Sequence, residues 1–117
     1  MRRIYDDSGA GAHNGEYRVL VDRLWPRGVK KEAAALDLWA KDAAPSAELR
    51  RWYGHDPGLF DEFARRYREE LAHEPGVTAV DSLARASREG HVVFLTATKD
   101  VAHSGAVVLA GVVSGAT

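Results

Sequence analysis

The chain has 117 residues, 45% apolar and 28% charged, which is the composition of a globular domain rather than of a disordered or fibrous one. Its 16 basic and 17 acidic side chains give a net charge of -1, so no overall positive field draws the molecule to a phosphate backbone, and nucleic-acid binding is not expected. The absence of cysteine excludes thiol catalysis, disulfides, iron–sulfur clusters and every zinc site that uses cysteine. A single domain over residues 1–117 is expected to bury a core without such staples. Arg2 and Arg3 are followed by no apolar run, and no stretch approaches the ~18 to 20 residues of a membrane span. A cytoplasmic location without membrane association follows as the expectation.

In chain order, Arg3 to Tyr5 is a short strand candidate, and the glycines and Asx residues from Asp6 to Gly15 mark a loop. The spacing of Gly9, Gly11 and Gly15 does not match a dinucleotide fingerprint, since the last gap is wrong and a strand follows. Arg18 to Asp22 reads as a strand covered on both faces, because Val19, Leu20 and Val21 are consecutive apolar residues. Lys30 to Ala35 has helix-forming composition, and Leu36 to Trp39 fits either a strand or a helical continuation.

Ser46 is placed to cap a short helix that Gly54 ends, and Asp56 with Pro57 opens a longer helix running to about Ala72. Phe60, Phe63, Tyr67 and Leu71 form its apolar stripe. The basic run from Arg65 to Arg68 is balanced by acids at Asp61/Arg65, Glu62/Arg66, Arg65/Glu69 and Arg66/Glu70, the pattern of a solvated face and not of a phosphate track. A third helix starts at Gly76, Gly90 caps its end, and His91 to Thr96 is a second apolar strand. A final helix begins near Asp100 to Ser104 and carries the apolar run Ala106 to Val113. Apolar strands separated by helices predict an α/β fold: a small, mainly parallel sheet flanked by helices as a three-layer sandwich.

Parallel strands would open Asp22-Arg23 and Thr96 to Asp100 on one edge, where α/β sheets hold ligands. Asp22, Arg23, Trp25, Arg27 and Gly28 end the first apolar strand in charge and an indole, which a strand built only for packing does not need. The expected site is an anion pocket in which Arg23, Arg27 and Lys99 grip the ligand and Trp25 stacks on it. Asp22, Asp100 and His103 are the candidates for proton transfer. The bland reading of each is also open: Asp22 pairing with a neighbouring arginine, Asp100 capping a helix, Trp25 plugging a core edge, and His103 lying on the surface.

His55, beside Asp56, is a further ligand-binding candidate, but no two of the five histidines have the i,i+4 spacing of a helical metal site, and none is assigned to metal. Ser104 beside His103 is a poor nucleophile arrangement, because adjacent residues on a helix do not face each other. Trp52 and Tyr53 either cover the crevice or belong to the core. No cofactor follows from these residues.

The strings Arg18-Val-Leu-Val-Asp-Arg-Leu-Trp-Pro-Arg-Gly28, Leu36-Asp-Leu-Trp39, Ala44-Pro-Ser46, Glu48 to Pro57, Lys99 to His103 and Ala106 to Leu109 resemble the YeaO-like proteins. These are small bacterial proteins of the domain-of-unknown-function family DUF488, and the resemblance spans nearly the whole chain. It implies no particular reaction. Members tend to carry Asn after the histidine, where this chain has Ser104, which would orient a ligand less well than an amide. The leading functional expectation is binding of a small anionic ligand, a phosphorylated metabolite or a nucleotide, with hydrolysis or transfer as an attached activity. The rivals are a non-catalytic interaction protein, self-association being its simplest form, and nucleic-acid binding through Arg2, Arg3, Arg18, Arg50 and Arg51.

Overall fold

The computed structural model describes residues 2–4, 16–31 and 35–116, without the side chain of Arg2. The expected loop from Asp6 to Gly15, the end of the first strand candidate at Tyr5, and most of the Lys30 to Ala35 stretch lie outside the described residues. Four strands, β1 (Arg2–Arg3), β2 (Glu16–Leu20), β3 (Leu38–Trp39) and β4 (His91–Thr96), form one sheet in the order β1-β4-β2-β3, and every pairing is parallel. β2 and β4 run side by side from Glu16 opposite His91 to Leu20 opposite Leu95. The two apolar strands therefore end together.

Val19, Leu20 and Val21 are all buried, as consecutive apolar residues in a doubly covered strand must be. The Leu36 to Trp39 segment resolves as a strand because β2 offers it a complete ladder. The Asp37 and Ala40 amides donate to the Arg18 and Leu20 carbonyls at 2.9 and 2.8 Å, and the Arg18 amide donates to the Asp37 carboxylate at 2.8 Å. Val19, Val21 and Phe94 face one core with Phe63, Tyr67, Leu83 and Leu109. Leu20, Val93, Leu95 and Ile4 face the other, which Trp25, Val29, Leu36 and Trp39 cover. The helices thus supply one outer layer, and the segment between β2 and β3 supplies the other.

Four helices follow in the described residues: α1 (Ala47–Tyr53), α2 (Phe60–Glu70), α3 (Gly76–Glu89) and α4 (Gly105–Ala116). The Ser46 hydroxyl accepts from the Leu49 amide at 3.1 Å, which caps α1 as expected. The structure adds a partner from the far end of α2. The Ser46 amide and hydroxyl donate to Glu70 at 2.9 and 2.6 Å, so Glu70 locks the start of α1 rather than pairing with Arg66. The helix expected from Asp56 begins as a 3-10 turn, Pro57–Leu59, capped by Asp56 through the Gly58 amide, and becomes α-helical at Phe60. Its stripe is buried at Phe63, Tyr67 and Leu71, and the Tyr67 hydroxyl donates to the Ala43 carbonyl. Gly90 ends α3 in extended backbone, not in a left-handed cap. The last helix starts later than expected, at Gly105, because Val101–His103 forms a separate 3-10 turn.

The outer face of α2 is self-neutralised. Glu62 accepts from Arg65 at 2.6 and 2.9 Å and from Arg66 at 2.8 Å, and Arg66 also lies over the Trp52 ring at 4.2 Å. Hydrogen bonds from Arg65 first and Arg66 second hold the Glu62 carboxyl down to about 2, from an ordinary value of 4.5. A folded-state value below the unfolded one means that this contribution is complete above pH 4.5 and is lost as pH falls through 2. Glu62→Gln is therefore expected to flatten the stability loss across that acid window in a series of urea titrations. Ser46→Ala should cost about 1–2 kcal/mol in the same assay at neutral pH, since it removes a cap and one of the two donors that hold Glu70.

Candidate functional site

The carboxyl edge of the sheet is organised by Asp22. Its two carboxylate oxygens accept from the Thr96 hydroxyl and the Ala97 amide, both at 2.7 Å, which ties the chain leaving β2 to the chain leaving β4. The Thr96 oxygen in turn accepts from the Thr98 amide at 3.1 Å, and the Asp22 carbonyl accepts from the Trp39 indole at 2.7 Å. One residue thus joins the ends of β2, β3 and β4. Its partners are neutral donors from the sheet and not the neighbouring arginines.

After Asp22 the chain makes a tight turn. The Trp25 indole donates to the Val29 carbonyl at 2.7 Å, and Gly28 takes a left-handed φ of 79° that a residue with a side chain adopts only under strain. The Trp25 ring meets Trp39 edge to face at 5.3 Å, so one side of this indole belongs to the second core. Arg23 is exposed and its Nε donates to the Pro45 carbonyl at 3.1 Å, which orients the guanidinium toward the start of α1.

Between this turn, α1 and the first residues of α4 lies a cavity of about 380 Å³. Asp22, Arg23, Trp25, Arg27 and His55 all line it. So do Arg50 and Arg51 from the last turn of α1, and Ser104, Gly105 and Ala106 from the N-terminus of α4. Among the described residues, four arginines line the cavity together with one carboxylate, Asp22, whose oxygens are already engaged. A Cβ at Gly105 would come within 3.3 Å of the Tyr67 ring and 3.7 Å of Pro45, so α4 starts in close contact with α2 and with the chain entering α1. The unsatisfied amides of a helix start and its dipole favour negative charge at this point.

The remaining sequence candidates do not line the cavity. Lys99 and Asp100 are exposed. His103 lies 2.8 Å from Asp100 through Nδ1 and sets its ring edge on to Phe60 at 5.3 Å. The 3-10 turn carries this pair away from the sheet edge, and only its backbone is used there, the His103 carbonyl accepting from the Tyr53 hydroxyl at 2.6 Å. Burial first, then the charges of Asp100 and Asp56, push that phenol up, so Tyr53 stays a neutral donor. Ser104 is buried and its hydroxyl donates to the Val101 carbonyl at 2.7 Å, closing the turn in place of orienting a ligand. The sequence places Arg50 and Arg51 in a nucleic-acid set with Arg18, which is buried in the sheet and shares no surface with them. The signal that would have found them is topological: α1 follows β3 and is only 7 residues long, so the whole of this short helix lies near the carboxyl edge from which it starts.

A parallel α/β domain with an arginine-lined cavity at the carboxyl edge of its sheet is the class these observations define. The model of the inactive DUF488-N3 subclade matches residues 1–117, and the chain belongs to this family. It is 46% identical over 115 residues to the uncharacterized proteins Mb3100c of Mycobacterium bovis and Rv3073c of Mycobacterium tuberculosis, covering 98% of this chain and 92% of each relative. It is 37% identical over 110 residues to the uncharacterized protein YeaO of Escherichia coli, covering 93% of this chain and 90% of that one. No solved structure matches the chain.

The Asp22 junction makes a direct prediction for stability. Asp22→Ala leaves the Ala97 amide and the Thr96 hydroxyl without their acceptor and should cost about 2–3 kcal/mol by urea unfolding. Asp22→Asn, whose amide oxygen can still accept from Ala97 while its NH₂ meets the Thr96 oxygen, should cost less than half as much. Equal losses in the two variants would assign the carboxylate's charge, rather than its hydrogen-bonding geometry, the dominant role.

Proposed function

We propose that this chain is a non-catalytic binding domain that holds a small anionic ligand, a phosphorylated metabolite or a nucleotide, in the cavity at the carboxyl edge of the sheet. The observation that carries this reading is that Arg23, Arg50 and Arg51 line one cavity together with the start of α4. Like charges gathered in one concavity repel each other, and a bound anion relieves that repulsion while taking bidentate hydrogen bonds from the guanidinium forks. A cavity of this volume is suited to a small metabolite.

The same geometry supports leaving catalysis out. The Asp22 carboxylate, the Ser104 hydroxyl and the Tyr53 hydroxyl are each spent on structural hydrogen bonds, so these three candidates for base or nucleophile are holding the fold. The His103–Asp100 pair stands outside the cavity, and the description of the family as inactive agrees. The His55 imidazole also lines the cavity, and its role in this reading is as a further donor to the anion. A chain without cysteine suits a cytoplasmic setting. A second reading, an interaction surface, is favoured by one observation, the 64% exposure of Leu24 at the cavity mouth. Concentration-dependent sedimentation that Leu24→Ser abolishes would support it.

The test of the anion reading is a thermal-shift screen with phosphate, AMP and carboxylates, run in parallel on Arg23→Ala. Ligand at 100 times its dissociation constant should add about 2.7 kcal/mol of stability to the natural chain and much less to the variant. A folded natural chain that responds to none of these anions would contradict the proposal.

A further inference from the structure

Resting on that reading, we infer that the ligand is a nucleoside diphosphate, with the two phosphoryl groups on separate arginine subsites and the nucleoside against the turn that follows β2. The basic groups of the cavity fall into two sets by the elements that carry them. Arg23, in the turn after β2, is fixed by its Nε bond to the Pro45 carbonyl, and Pro45 lies next to Gly105 at the start of α4, which lines the same cavity. Arg50 and Arg51 come from a different element, the last turn of α1, followed by His55 in left-handed backbone at φ 58°. A single phosphoryl group is saturated by one or two forks and a helix start. Guanidiniums supplied by two separate elements match two linked phosphoryl groups.

The rest of the lining argues against bare pyrophosphate. Leu24, Trp25 and Pro26 give the cavity an apolar side, and an inorganic anion would leave that side and much of the 380 Å³ unfilled. Trp25 is half-buried: its indole nitrogen and one edge are engaged by Val29 and Trp39, and it still reaches the cavity. A rigid, pre-positioned indole is a surface on which a planar base gains contact at little entropic cost. The exposure of Leu24 at the mouth has the same explanation, a cover for the nucleoside.

Isothermal titration at fixed ionic strength, with ADP, AMP, pyrophosphate, phosphate and geranyl diphosphate as probes, tests the assignment. ADP should bind about tenfold more tightly than AMP, and about tenfold more tightly than pyrophosphate, each step being the gain of one further set of contacts. The double variant Arg50→Gln/Arg51→Gln, with its melting temperature measured as a control for folding, should weaken ADP by about tenfold more than it weakens AMP. AMP matching ADP would overturn the two-subsite arrangement, and pyrophosphate or geranyl diphosphate matching ADP would overturn the nucleoside. In each of those cases the anion reading stands. Failure of every probe to bind a folded chain would overturn both.

Discussion

The Asp22 carboxylate takes one hydrogen bond from the Thr96 hydroxyl and one from the Ala97 amide, and the Asp22 carbonyl takes a third from the Trp39 indole. A parallel sheet needs such a junction, because its strands end side by side and the chains leaving them must diverge without stranding backbone donors. With Asp22 in place, the chain after β2 is held against the chain after β4, and the turn carrying Arg23, Trp25 and Arg27 starts from a fixed point. Everything that the cavity presents from this side depends on that anchor.

The second constraint is electrostatic. A chain of net charge -1 distributes its charges unevenly. On α2, Glu62 binds two arginines, and a third partner, the Trp52 ring, lies under Arg66. At the cavity, four arginines line the wall with one carboxylate among the described residues, and neutral donors already occupy that carboxylate. Exposed ion pairs of the first kind add little to stability and are screened by salt. The second kind is a local field that favours negative charge, and the helix start in the same lining favours the same sign. In the proposed function an anion would be bound by these forces.

Much of the scaffold is legible in the residues alone, since Val19 to Val21 and Val92 to Leu95 are apolar runs that only a covered strand accommodates, and Ser46 and Asp56 announce their helices by capping chemistry. The site is legible in part. Asp22, Arg23, Trp25 and Arg27 stand out because they end a strand, and they do border the cavity. The partners of Asp22 are 74 and 75 positions away, and no local pattern names them. Arg50 and Arg51 were hidden by an ordinary setting, the last turn of a short helix, where basic residues are favoured whatever they face. His103 and Asp100 follow a strand end as a site pair would, but Val101–His103 winds into a 3-10 turn that takes them outward, and a turn of three residues leaves no periodicity to read. Glu70 has the same lesson at longer range: its spacing from Arg66 suggests a helical ion pair, while Ser46, 24 positions earlier, is the partner it has.

The most direct test of the account is a ¹H–¹⁵N correlation titration of the natural chain with phosphate, following backbone amides and arginine side-chain signals together. The account predicts saturable shifts at the Gly105 and Ala106 amides and at the Arg23 side chain, with the Arg65 and Arg66 signals on the paired face of α2 unmoved. Saturable shifts on α2 with a silent α4 start would contradict it.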